Sequence, residues 1–112
     1  MIFAVDFDGC LASDGKWPEV GEPNKTFINW LIVTRQQGHK VILWTCRVGE
    51  ALQKAVDMCR ENGLEFDAVN DNLPEIIELY GTNSRKITAD FYFDDKSVVV
   101  KYPERTRDEF RK

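Results

Sequence analysis

Apolar residues in this chain follow two rhythms. Three unbroken runs, Ile2-Phe3-Ala4-Val5 with Phe7 just beyond, Val41-Ile42-Leu43-Trp44 and Phe91-Tyr92-Phe93, have the character of strands buried on both faces. Between them the apolar positions recur at helical spacing. Phe27, Trp30, Leu31 and Thr34 share one face of a helix that starts near Asn24 and stops at Gly38. Leu52, Ala55, Val56 and Cys59 point inward from a second helix over 50–62, closed by Gly63. Residues 64–69 read as a third strand, and Asn72 as the cap of a short helix carrying Ile76, Ile77 and Tyr80 and ended by Gly81. Val98-Val99-Val100 reads as a short fifth strand. The stretch 9–23 carries Gly9, Gly15, Pro18, Gly21 and Pro23 and reads as a loop. Trp30 and Trp44 fall inside apolar patterns and are expected in the core, whereas Trp17, in the loop, is free to stack on a base or sugar.

Strands alternating with helices predict an α/β fold, a three-layer Rossmann-like parallel sheet. One domain over 1–102 accounts for the pattern, with 103–112 as a charged C-terminal tail or peripheral helix. Composition narrows the possibilities further. With 43% hydrophobic and 30% charged residues the chain can build a core and is not of disordered type. No apolar run reaches the length of a membrane span, and the opening residues lack the basic start of a signal peptide, so no membrane partner is expected. Cys10, Cys46 and Cys59 form no paired framework, which points to a reduced, cytoplasmic setting. The net charge is −4, from 19 acidic and 15 basic residues, and setting aside Asp6, Asp8, Asp94 and Asp95 leaves the chain neutral. An acidic balance removes the footprint of bulk nucleic-acid binding.

Ligands of parallel α/β sheets bind beyond the carboxyl ends of the strands. Here the first run ends in Asp6-Phe7-Asp8-Gly9, the second in Thr45-Cys46-Arg47 and the third in Asp94-Asp95-Lys96. Carboxylates gathered at one edge of a sheet repel one another unless a cation neutralises them, and an all-oxygen donor set suits a hard ion such as Mg²⁺. One histidine and scattered cysteines argue against zinc. A metal held by few carboxylates takes its remaining ligands from water or a substrate phosphate, which Thr45, Arg47, Lys86 and Lys96 could help to hold. A carboxylate can also attack phosphorus while a second one, two residues on, serves as acid and then base. Asp6 and Asp8 have that spacing, with Gly9 freeing the turn.

Each motif has a plainer explanation when taken alone: Asp8-Gly9 as a turn, Thr45 as a β-branched strand residue, Asp94-Asp95 as a charged loop. Together and in order they resemble the haloacid dehalogenase-like superfamily. Asp6-Phe7-Asp8-Gly9 is similar to its first motif, Val41 to Thr45 to its second, Lys86 to its third-motif lysine, and Phe91 to Asp95 to its fourth. The resemblance covers about residues 1–100, and is nearest to small capless phosphatases, since helices and a strand fill both positions where a cap would be inserted. It implies that Asp6 is the nucleophile and Asp8 the general acid and base. Thr45 would bind the transferring phosphoryl and Lys86 would balance charge, with Lys96 as the alternative. Asp6, Asp8, Asp94 and Asp95 would hold Mg²⁺. Cys46, Arg47 and Gly9 are candidate substrate contacts. Cys10 stands where a Thr commonly follows the first motif and puts a thiol beside the site, open to redox control.

The expected activity is therefore that of a Mg²⁺-dependent phosphomonoester hydrolase acting on a small phosphorylated substrate. The loop over 10–23 is the candidate lid, and a second copy of the chain could cover the open site. A phosphotransferase, or a non-catalytic binding module on the same scaffold, is the alternative. Two other classes fail on spacing. A phosphate-binding loop needs four residues between Gly and Gly-Lys and then Ser or Thr, whereas five separate Gly9 from Gly15-Lys16 and Trp17 follows. A receiver-type signalling module would place its phosphoacceptor at a later strand end, before the Thr and Lys, where this chain has Asn70-Asp71.

Overall fold

A computed structural model describes residues 1–101 of the chain; the tail over 103–112 lies outside the described residues. Four strands, β1 (Ile2–Val5), β2 (Lys40–Leu43), β3 (Ala68–Val69) and β4 (Phe91–Phe93), alternate with three helices, α1 (Lys25–Gln36), α2 (Gly49–Glu61) and α3 (Pro74–Tyr80). All strand pairs are parallel, in the order β3-β2-β1-β4. The fold is a Rossmann-like α/β sheet, and β1 sits between its two most apolar neighbours.

Side-chain alternation along the strands sorts the core into two layers. Phe3, Val5, Val41 and Leu43 face Ile28 and Leu31 of α1 and Ala55, Met58 and Cys59 of α2. Ala4 and Ile42 face the opposite way, against Leu73, Ile87 and, from α3, Ile76. Asn24 caps α1 by accepting from the Phe27 amide.

Several expectations are corrected. Trp30 is half exposed, because α1 turns Ile28, Leu31 and Thr34 inward and leaves Trp30 on its flank. There its ring lies edge-on to Phe3 at 5.8 Å and to Phe93 at 5.9 Å. Trp44 follows the last residue of β2 and is 37% exposed, tilted against Tyr92. On α2 the deepest positions are Ala51, Ala55, Met58 and Cys59, with Leu52 and Val56 at the margin. The third strand is short: Leu64 closes α2 by donating to the Cys59 carbonyl, and pairing with β2 starts only at Asp67.

Asn72 does not cap α3; Leu73 holds that position, with Pro74 in the first turn. Asn72 is buried instead, donating to Asn83 Oδ1 and the Ser84 carbonyl and accepting from the Thr88 amide at 2.7 Å, so it pins the loop that leads into β4. Val98, Val99 and Val100 form no strand and are all exposed.

Candidate active site

Backbone bonds carried one step past the strand ends bring the chemistry together. The Asp6 amide donates to the Phe93 carbonyl at 2.9 Å, which sets Asp6 beside Asp94. The Trp44 amide donates to the Val5 carbonyl at 2.8 Å, which sets Thr45 on the other side of Asp6. The chain then folds back tightly, with the amides of Cys10, Leu11 and Ala12 all directed at the Phe7 carbonyl. Gly9 makes this turn with φ +83°, a left-handed conformation that any side chain would strain. A methyl group there would also collide with the Asp95 carboxylate, which rests against the Gly9 backbone.

Asp6, Asp8, Thr45, Cys46, Asp94, Asp95 and Lys96 line one cavity of about 280 Å³. Asp14, from the loop, lines it too; the sequence offered no signal for this residue beyond a turn-forming Asp-Gly. A second hollow shares Asp6, Thr45, Cys46 and Asp94 and extends to Trp44.

The Asp6 carboxylate is half-buried and oriented by the Phe7 amide, which donates to Oδ1 at 2.8 Å. Burial raises its pKa above the ordinary carboxylate value; the Phe7 hydrogen bond opposes this, and the charges of Asp94, Asp95 and Asp8 add to it. A bound cation would relieve such a crowd of like charges. Asp6, Cys10 and Asp95 each bring one ligand atom into a group spanning no more than 4.8 Å. The Cys10 thiol is pushed up to about 11, first by burial and then by Asp6, Asp95 and Asp94. Two of the three donor atoms are carboxylate oxygens, which suit a hard cation. The same shift favours the protonated form of the Cys10 thiol.

Thr45 is held by Asn70, whose Oδ1 accepts the Thr45 amide at 2.7 Å and whose Nδ2 donates to the Arg47 carbonyl. Thr45 Oγ1 accepts from the Arg47 amide, leaving its own hydroxyl proton free for another acceptor.

A solved structure of a conserved protein from Bacteroides thetaiotaomicron is 40% identical to this chain with a TM-score of 0.76, the match covering 88% of this chain and 78% of that one. The chain belongs to that protein's family. No family model and no curated protein matches the chain.

Not every expected residue reaches the cavity. Arg47, expected as a substrate contact, is 1% exposed, paired with Asp8, and does not line the cavity. Both Asp8 carboxylate oxygens accept from Arg47, although Asp8 itself lines the cavity. Lys86 is exposed in the loop before β4 and is not among the lining residues, whereas Lys96 is. Trp17 lies over the Arg47 guanidinium, its ring centre 4.9 Å from Cζ.

Proposed function

We propose that this protein is a Mg²⁺-dependent phosphomonoester hydrolase of the haloacid dehalogenase-like type, working on a small substrate in a reducing, cytoplasmic setting. The observation that carries the reading is the convergence of Asp6, Thr45, Asp94 and Asp95, from three adjacent strand ends, on one cavity that also holds the cation of Lys96. Mg²⁺ held by Asp6, Asp94 or Asp95, and the Asp8 carbonyl would supply the positive charge that lets an anionic phosphate approach an anionic nucleophile.

A carboxylate oxygen of Asp6 forms the new bond to phosphorus as the bond from phosphorus to the ester oxygen breaks, and the departing alkoxide takes its proton from Asp8. Water then attacks the phosphorus of the aspartyl-phosphate, giving its proton to Asp8 and releasing inorganic phosphate and the free Asp6 carboxylate. Thr45 donates its free hydroxyl proton to a phosphoryl oxygen, and Lys96 offsets the charge that accumulates. A cavity of about 280 Å³ suits a small phosphate ester better than a folded macromolecule.

The test is hydrolysis of p-nitrophenyl phosphate by wild type and Asp6→Asn, in Mg²⁺ and in EDTA. Turnover should require both the metal and Asp6, with kcat lowered by at least about a thousandfold in the variant while its circular dichroism is unchanged. Wild-type activity in Asp6→Asn would remove the nucleophile assignment.

A further inference from the structure

Arg47 has the largest fully buried side chain among the described residues. A guanidinium has five N–H donors, and here all five find acceptors. Nε donates to Asp8 Oδ2 at 2.9 Å and Nη2 to Asp8 Oδ1 at 2.8 Å, a fork-to-fork pair. Nη2 also reaches the Glu19 carbonyl at 3.2 Å. Nη1 donates to the carbonyls of Pro18 at 2.8 Å and Ala51 at 3.0 Å. Phe7 and Trp17 each present a ring whose centre is 4.9 Å from Cζ. Nothing is left over for a phosphate, and binding one would break a buried bond already made.

These acceptors belong to three parts of the molecule: the turn after β1, the loop over 10–23, and the first turn of α2. We infer that Arg47 is a positioning residue, fixing the orientation of the Asp8 carboxylate and clamping residues 17–19 of the loop to α2, so that acid/base group and loop are held as one unit. The half of this that concerns Asp8 rests on the phosphatase reading; the clamp does not. Lysine cannot replace Arg47 here, since an ammonium neither forks onto a carboxylate nor lies flat between rings and carbonyls. The exposed Lys54–Glu19 pair at 3.1 Å adds a second, weaker tie between the loop and α2.

The test uses Arg47→Lys, which keeps the charge and avoids the unpaired, partly buried carboxylate that Arg47→Ala would leave. Amide hydrogen exchange reads the clamp: Ser13, Glu19 and Asn24, whose amides donate to Glu22, Lys16 and Leu11, should exchange at least about tenfold faster, with β1 and β2 unchanged. Unchanged exchange in the loop overturns the clamp.

Turnover reads the Asp8 half. p-Nitrophenolate departs without a proton, whereas phenolate departs more readily with one, so kcat for phenyl phosphate should fall about tenfold further than kcat for p-nitrophenyl phosphate. In an Asp8→Asn background the same substitution should add no such difference. Equal losses on the two esters would mean that Arg47 acts on overall structure alone, and would overturn the positioning role. If wild type hydrolyses neither ester, the phosphatase reading falls and the Asp8 half with it, while the clamp is still decided by exchange.

Discussion

Asp67 lies at the end of the sheet opposite the cavity, and its removal gives a stability change that can be worked from its contacts. Its Oδ2 accepts the Val41 amide at 2.7 Å and Arg35 Nε at 3.1 Å, while Oδ1 accepts Arg35 Nη2 at 2.9 Å. Val41 is fully buried, so in Asp67→Ala its amide loses its partner at a cost of about 1–3 kcal/mol. The Arg35 side chain is 33% exposed and regains water, so the ion pair itself contributes no more than about 1 kcal/mol. The sum is about 1–4 kcal/mol. Asp67→Asn keeps an acceptor for Val41 and loses the charge, and should cost about 1 kcal/mol.

Urea denaturation of the two variants and wild type, at pH 7 and at a series of lower pH values, measures both. Burial pushes the Asp67 carboxyl up, but hydrogen bonds from Arg35 and the Val41 amide outweigh it and hold the group below its ordinary value. A carboxylate with a depressed folded-state pKa contributes stability above the unfolded value of about 3.9 and loses it as pH falls through the folded value. The gap between wild type and Asp67→Ala should therefore be full at pH 6–7 and narrow below about pH 4. An Ala variant within about 0.5 kcal/mol of wild type, or an Asn variant as damaging as Ala, would refute the apportionment.

Two further predictions concern the site. Lys96→Met should lower kcat on p-nitrophenyl phosphate at least about tenfold; a larger loss in Lys86→Met would return the charge-balancing role to Lys86. Iodoacetamide at pH 8 should label Cys46, which is exposed, ahead of Cys10, whose thiol is pushed up to about 11, and of Cys59, buried and pushed up to about 12. Peptide mass spectrometry reads the order, and early labelling of Cys10 would contradict the electrostatics described for it.

The parts of this architecture that the sequence made legible are those set by local rules. The apolar runs of β1 and β2 are buried because a parallel sheet is covered on both faces, and helix ends followed Asn24, Gly63 and Gly81; β4, read in the same way, is an edge strand whose Phe91 and Tyr92 are exposed. What lay beyond such rules was decided by long-range partners. Asn72 reads as a cap until the 83–88 loop is seen folded against it, and Trp30 reads as core until α1 is seen to turn Ile28, Leu31 and Thr34 inward. Arg47 reads as a free cation beside a phosphate site. Its burial depends on five acceptor atoms and two rings, all but the Ala51 carbonyl from distant segments that a local pattern cannot reveal. The strand-end carboxylates were legible because topology alone gathers them; the side on which each carboxylate faces was not.

The strand order has a consequence for how this chain acquires its site. Phe3 is in register with Val41 and also with Phe91, near the two extremes of the described sequence. A nascent chain can pair β1 with β2 early, but Asp6 gains Asp94 and Asp95 as neighbours only after β4 has been synthesised. Pairing across such sequence separation carries a large loop-closure entropy and tends to be slow. Any carboxylate cluster thus forms last, so the ability to concentrate negative charge is a property of the finished molecule and of no shorter intermediate. Truncation anywhere before Asp95 should leave a chain that collapses around β1 and β2 yet lacks the electrostatic feature on which the proposed chemistry rests.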